Sequence, residues 1–229
     1  MWTDYWPRSY QEAVALQEEW RHRVEVRPLI RPPRLVAGVD AAYDLKGPRL
    51  FGAAALYSYP ELELLEEAGG SGVLSFPYIP GLLTFREAPI LAGALARLSR
   101  KPEVVLVDGQ GLAHPRGLGL ASHLGLMLNL PTIGVAKSRL VGTGPEPGQA
   151  AGSASPLIYQ GRQVGLILRT RKGRRPLYLS CGHLITLKDC REIVLGCLGR
   201  YRIPLPLRQA DLRSRQLKRE SQIGGATRI

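Results

Sequence analysis

Cysteine is scarce in this chain of 229 residues: Cys181, Cys190 and Cys197 are the three, and none stands in a C-x-x-C spacing. A disulfide framework and a zinc knuckle are therefore not expected. Glycine (26) and proline (18) follow no G-X-Y period, no heptad repeat runs along the chain, and 45% of residues are hydrophobic. Collagen-like, coiled-coil and disordered classes are excluded on that composition. The first ten residues are polar and aromatic without an apolar segment, so no signal peptide is read there and a cytoplasmic protein is expected. Residues 117–136 lack Asp, Glu, Lys and Arg, but His123, Asn129 and Pro131 interrupt the run. A buried helix followed by a buried strand fits it better than a membrane span.

Acid is the other scarcity, and it is local. Residues 160–229 hold four Asp or Glu against 16 Lys or Arg, while residues 1–159 hold 15 of each. Of the 31 basic residues 25 are Arg, so a compositional bias favours Arg over Lys. It does not explain why acids thin out after residue 160. A basic third beside a neutral body is the footprint of a protein that meets phosphate backbones.

A coarse pass gives one α/β domain over residues 1–229 with a mixed sheet. An amphipathic helix is predicted at 8–25 and a Pro-rich break at 27–34. Strands are predicted at 35–40, 50–59, 62–67, 103–108, 131–136, 157–159, 164–170 and 177–181. Thr84 and Glu87 have the spacing of a capping box for a helix reaching Ser99, and Thr186 with Asp189 for one at 187–201. A further helix covers 117–128. From about 205 to 229 the chain is basic and polar, which suggests a partly disordered tail.

Two apolar strands are each expected to end in a carboxylate, Val36-Ala-Gly-Val-Asp40 and Val104-Val-Leu-Val-Asp108. Side by side in one sheet they repel and raise each other's pKa unless a divalent cation sits between them, and hard oxygen ligands suit magnesium or manganese. Glu87, in a first helical turn, is a third candidate; Asp44 reads as a solvated turn residue. The turn Gly109-Gln-Gly111-Leu-Ala-His114-Pro-Arg116 lets backbone approach a ligand closely. His114 and Arg116 stand where they could meet phosphate, Lys137 could stabilise developing negative charge, and His183, after Ser180-Cys-Gly, could orient a water or donate a proton.

Six blocks together resemble the endonuclease V family. They are Val36-Ala-Gly-Val-Asp40, Pro77-Tyr-Ile-Pro-Gly-Leu-Leu83, Phe85-Arg-Glu-Ala-Pro89, Val107-Asp-Gly-Gln-Gly-Leu-Ala-His-Pro-Arg116, Gly119-Leu-Ala-Ser-His123-Leu-Gly125 and Pro131-Thr-Ile-Gly-Val-Ala-Lys137. They occur in the family's order and cover most of residues 35–185. The resemblance implies a ribonuclease H-like fold, a mixed sheet flanked by helices. It implies hydrolysis of the second phosphodiester bond 3′ to deoxyinosine in DNA, leaving 3′-hydroxyl and 5′-phosphate ends. Asp40 and Asp108 then bind Mg2+ directly, with Mn2+ as substitute, and Glu87 completes the acidic site through water. One tightly held ion is expected from so few carboxylates. His183 positions the attacking water, while Lys137 and His114 stabilise the phosphate and the leaving oxygen. The chain departs from the family's usual proline at Cys181 and its usual basic residue at Leu184, both flanking His183.

The stiff segment Pro77-Tyr78-Ile79-Pro80 can enter a base step and fill the space of an extruded nucleotide. Backbone groups of Gly81, Leu82, Leu83 and Gly109 are expected to accept from hypoxanthine N1–H and donate to O6. The partner is deoxyinosine-containing DNA, with inosine-containing RNA as the alternative, since sugar choice rests on contacts to the 2′ position. A silent nucleic-acid binder is a weaker alternative because all three carboxylates are present. No membrane partner is expected, and a monomer is.

Overall fold

The computed structural model describes residues 6–44 and 47–226, with backbone alone for 224–226. A meander of three strands, β1 (Leu35–Tyr43), β2 (Arg49–Ser58) and β3 (Leu64–Val73), forms one half of a sheet. β4 (Val104–Val107) adds parallel to β1, and β5 (Thr132–Ala136) parallel to β4. Then β8 (Leu177–His183), β7 (Arg162–Leu168) and β6 (Ala154–Tyr159) follow antiparallel, giving the order β3-β2-β1-β4-β5-β8-β7-β6. Pro156 sits in β6, the edge strand, where its missing N–H costs no central ladder bond. This is the mixed α/β, ribonuclease H-like sheet that the sequence led us to expect.

Alternation along the central strands sends side chains to two cores. Ala37, Val39, Val105 and Val107 pack against α2 (Thr84–Ala96) and α3 (Leu120–Leu128). Val36, Val104, Leu106, Ile133 and Val135 pack with residues of α4 (Leu187–Gly196) and with Leu207 of α5 (Leu205–Ala226). The N-terminal α1 (Tyr10–Trp20) buries Ala13 and Leu16 against Phe76, Leu82 and Phe85. Residues 117–136 are indeed a buried helix and strand, and no helix among the described residues is long and apolar enough to cross a membrane.

The structure corrects three local readings. β1 does not stop at Asp40 but runs to Tyr43, because β2 pairs with it throughout. The capping box at Thr186 and Asp189 forms, whereas the one at Thr84 and Glu87 does not: Leu83 is the cap residue and Glu87 turns to another partner. The segment read as a partly disordered tail is, through Ala226, a 22-residue helix; residues 227–229 lie outside the described residues. Its period was legible in Leu207, Ala210, Ser214 and Leu217, and the charges between them obscured it.

Seating of α5 depends on Gly38. A Cβ there would overlap the backbone of Pro206 and Leu207, so helix and strand touch main chain to main chain. Gly38→Ala is expected to destabilise by about 1–3 kcal/mol, the cost of overpacking a filled site, and to lever α5 away from β1. A urea melt with an unchanged midpoint would show that the helix is not seated there.

Candidate active site

Asp40 shares a face of β1 with Val36 and Gly38, so its carboxylate points to the side where α5 crosses. There Asp211, on α5, adds its negative charge. Asp108 follows the last residue of β4, and Lys137 follows the last residue of β5, one strand away. Lys137 Nζ makes an ion pair with Asp108 Oδ2. Burial pushes the Asp40 carboxyl up to about 8; Asp108 adds to the rise, Lys137 and the Ala41 amide oppose it, and Asp211 adds again. Burial works against the Lys137 ammonium, but Asp108, Asp40 and Asp211 together hold its pKa above the ordinary lysine value. Three carboxylates and one ammonium thus share one edge of the sheet.

Glu87 approaches from the opposite face. Tyr43, three residues beyond Asp40 and on the other side of the strand, donates to Glu87 Oε1 at 2.5 Å. Glu87 is only 7% exposed, and burial lifts its carboxyl to about 7, opposed by the Tyr43 hydroxyl and assisted by Asp108. The Arg86 guanidinium lies 5.0 Å from the Tyr43 ring and 5.9 Å from that of Tyr78. Among the described residues no three Asp, Glu, His or Cys side chains already stand around a common point as ligands. The closest arrangement to a site is Asp40 with Asp108, flanked by Glu87 from α2 and Asp211 from α5.

Beside these groups lies a cavity of about 370 Å³. Its walls include Tyr78, Pro80, Gly81, Leu83, Gly109 and Lys137. Tyr78 is 70% exposed, while Leu82 is fully buried with Phe76 and Phe85 and anchors the loop from beneath. Pro77 is exposed and Ile79 partly covered; Ile79 lines the cavity and its carbonyl accepts from the Leu82 amide at 2.9 Å. The Gly81 carbonyl accepts from Gln17 Nε2 at 3.0 Å, His114 Nε2 at 2.9 Å and Arg116 Nη2 at 2.9 Å. Gly81 itself has φ of +80°, a conformation that favours glycine. Three donors on one oxygen clamp the loop to the turn after Asp108 and to α1.

These bonds change two expectations. The carbonyls of Gly81, Leu82 and Leu83 and the Leu82 amide are already engaged, the Leu83 carbonyl by the Arg86 and Glu87 amides at 3.0 and 3.2 Å, so of the expected set the Gly81 and Leu83 amides and the backbone of Gly109 are the groups left to read a base. His114 is buried by its neighbours and held neutral: burial pushes its pKa down to about 4, with Gly81 opposing and Arg116 assisting. Its Nδ1 accepts from the Arg116 amide at 3.2 Å, which leaves Nε2–H to donate to Gly81. A neutral imidazole with both nitrogens occupied supports the loop and brings no charge to a phosphate.

His183 is not brought to the site. It pairs with Thr132, the first residue of β5, whereas Lys137 follows the last. Five strand steps separate those levels, roughly 17 Å. Its Nδ1 accepts from the Glu25 amide at 3.2 Å, and Leu184 N–H donates to Glu25 at 2.7 Å, so this histidine ties down the segment after α1. Asp211, which sequence reading passed over inside a supposed tail, is instead the acidic residue whose charge reaches Asp40 and Lys137.

The sequence profile described as Endonuclease V matches residues 18–212. An Endonuclease V from a Nostoc species is 47% identical over 207 residues, covering 90% of this chain and 94% of the relative. The crystal structure of Endonuclease V from Streptomyces avermitilis superposes with a TM-score of 0.91 at 42% identity, over 95% of this chain and 96% of that one. Endonuclease V from Ciona intestinalis, in complex with a 24mer DNA containing an inosine followed by a ribo-adenosine, gives a TM-score of 0.82 at 29% identity, over 92% and 98%. A carboxylate cluster at the edge of a ribonuclease H-like sheet and a profile spanning most of the sequence agree: the chain belongs to the Endonuclease V family of nucleases.

Proposed function

We propose that the protein is a magnesium-dependent DNA-repair endonuclease that recognises deoxyinosine and hydrolyses the second phosphodiester bond 3′ to it, leaving 3′-hydroxyl and 5′-phosphate ends. The observation that carries this reading is the crowding of Asp40, Asp108 and Asp211 around Lys137 next to a cavity rimmed by the 77–83 loop. Support comes from the Ciona intestinalis relative, which was captured on DNA containing an inosine.

An oxygen-only donor set with mutually repelling carboxylates fits a hard divalent cation. Asp40 and Asp108 would hold Mg2+ or Mn2+, with Glu87 joining through water. When bound, the ion would neutralise charge on the phosphate and acidify a water. Asp211 orients the attacking water and accepts its proton. Lys137, charged at neutral pH, donates to a phosphate oxygen as negative charge develops there. Tyr78, projecting between two prolines, fills the base step left by the extruded nucleotide, and the cavity receives the base. Hypoxanthine offers a donor at N1 and an acceptor at O6, the reverse of adenine; in this reading the Leu83 amide donates to O6 and the Gly109 carbonyl accepts from N1–H, both residues lining the cavity.

The test is strand cleavage of a duplex carrying one deoxyinosine, with magnesium and with EDTA, beside an undamaged duplex. A magnesium-dependent nick at the second bond 3′ to the lesion, absent from the undamaged duplex, is the expected result; equal cutting of both duplexes overturns the specificity. A second reading, cleavage at inosine in RNA, is favoured by the ribo-adenosine in the same Ciona complex. Competition between matched DNA and RNA strands separates the two.

A further inference from the structure

The basic excess of the last third of the chain is gathered by the fold into two neighbouring loops. The turn between β7 and β8 carries Arg171, Lys172, Arg174 and Arg175, and the connection from α4 into α5 carries Arg200, Arg202 and, on the first turn of α5, Arg208. No Asp or Glu occurs in either loop. They are stitched together: Arg171 Nε donates to the Tyr201 carbonyl at 3.3 Å, Arg202 Nη1 to the Arg175 carbonyl at 2.9 Å, and Thr170 Oγ1 to the Arg202 carbonyl at 2.8 Å. Tyr201 holds two guanidinium groups on its ring, Arg208 at 3.8 Å and Arg200 at 5.0 Å. Like charges are thereby fixed close together, and burial and Arg175 push the Arg202 pKa down. Crowding of this kind is unfavourable in the free protein and is relieved by an anionic partner.

Its position matters as much as its charge. Tyr178 pairs with Ala136, the residue before Lys137, so the turn that precedes β8 emerges at the same edge of the sheet as the carboxylates. Arg208 lies one helical turn before Asp211. The loops therefore continue the candidate active site outward across β8 and β7, on the side away from Tyr78 and the cavity.

We propose that these two loops form a ridge that contacts the phosphate backbone of duplex DNA flanking the cleaved bond, and so sets register and affinity without reading bases. The proposal rests on the nuclease reading given above. Guanidinium groups in a fixed row match phosphate oxygens bidentately. Stacking on Tyr201 holds two of them in place before DNA arrives.

The experiment measures binding to an undamaged duplex by fluorescence anisotropy across a salt series, together with single-turnover nicking of the deoxyinosine duplex at saturating protein. The ridge variant is Arg174→Ala/Arg175→Ala/Arg200→Ala, all exposed positions. The control is Arg100→Ala/Lys101→Ala/Arg162→Ala, exposed cations at the opposite end of the sheet. The ridge variant is expected to bind about 10- to 100-fold more weakly near 0.1 M salt, with the slope of log K against log salt reduced by roughly 2–3, because each lost phosphate contact removes about 0.9. Its nicking rate at saturation stays within about twofold of the parent, and the control keeps the parent's slope. An unchanged slope in the ridge variant, or an equal loss in the control, overturns the proposal. If the triple variant does not fold, Arg174→Gln alone is expected to lower the slope by about 1. A protein that shows the reduced slope but never nicks deoxyinosine keeps the ridge and overturns the substrate reading instead.

Discussion

Replacing Asp211 by Asn is expected to lower the deoxyinosine nicking rate by about 10²- to 10⁴-fold, the range for loss of a group that handles a proton in the transition state, while His183→Ala stays close to the parent. Asp211 adds its charge to both Asp40 and Lys137, which puts it within the reacting cluster. His183 sits at the far end of β5 and is engaged by the Glu25 amide. Its replacement costs a partly buried hydrogen bond to the exposed segment after α1, which reads as a lower melting temperature and leaves the catalytic rate in place. Rates measured at saturating duplex and magnesium separate the two variants. A silent His183→Ala protein with an active Asp211→Asn protein would reverse the assignment. The aspartate also donates nothing and accepts from Arg215 Nε at 2.8 Å, an ion pair that steadies its carboxylate along the helix.

The second large effect is on stability, and its sign is opposite to its effect on activity. Asp40 has a folded pKa of about 8 against 3.8 for an ordinary aspartate, through burial first and then Asp108. A raised carboxylate pKa means the folded protein binds the proton more tightly than the unfolded chain. Its contribution is fully present below about pH 3.8 and is lost as pH climbs through about 8. In EDTA the parent should therefore lose melting temperature across that window, whereas Asp40→Asn, which carries no charge there, should lose much less. At pH 8 the variant should melt higher than the parent and cut nothing. Magnesium should restore the parent at pH 8 and leave the variant nearly unmoved, since the ion binds the charged, folded site. Parallel melting curves for the two proteins over pH 4–8 in EDTA would sink the argument.

How much of this was legible in the sequence can be judged residue by residue. The strand-end position of Asp108 and Lys137 follows from short apolar runs and proved right, because buried parallel strands read as continuous Val and Leu; that β1 and β4 are parallel neighbours was only a condition in the sequence and is shown by the fold. Thr186 and Asp189 announced their helix through local bonds alone. Thr84 and Glu87 carry the same spacing, yet Tyr43, far away in sequence, takes the glutamate, and a local rule cannot anticipate a distant competitor. The surroundings of His114 were not legible for a related reason. Its three-dimensional neighbours, Gly81 and Arg116, bury and neutralise it, and the arrival of the 77–83 loop is not written in the turn itself. Asp211 was hidden by a basic composition that masked a helical period, and it takes the tertiary contacts of α5, at Gly38 and through Leu207 and Ala210, to show which strands the helix lies on.

The reactive groups are drawn from β1, α2, the ends of β4 and β5, and α5, spread from residue 40 to residue 211. No local stretch of chain holds more than a fragment of the chemistry, and every pair among them is a long-range contact that must bear the entropy of closing a loop. A partly folded or clipped molecule can carry positive charge to DNA and still lack the means to cut it. For a nuclease, scattering the site in this way acts as a safety interlock: competence to cut arrives together with completion of the fold.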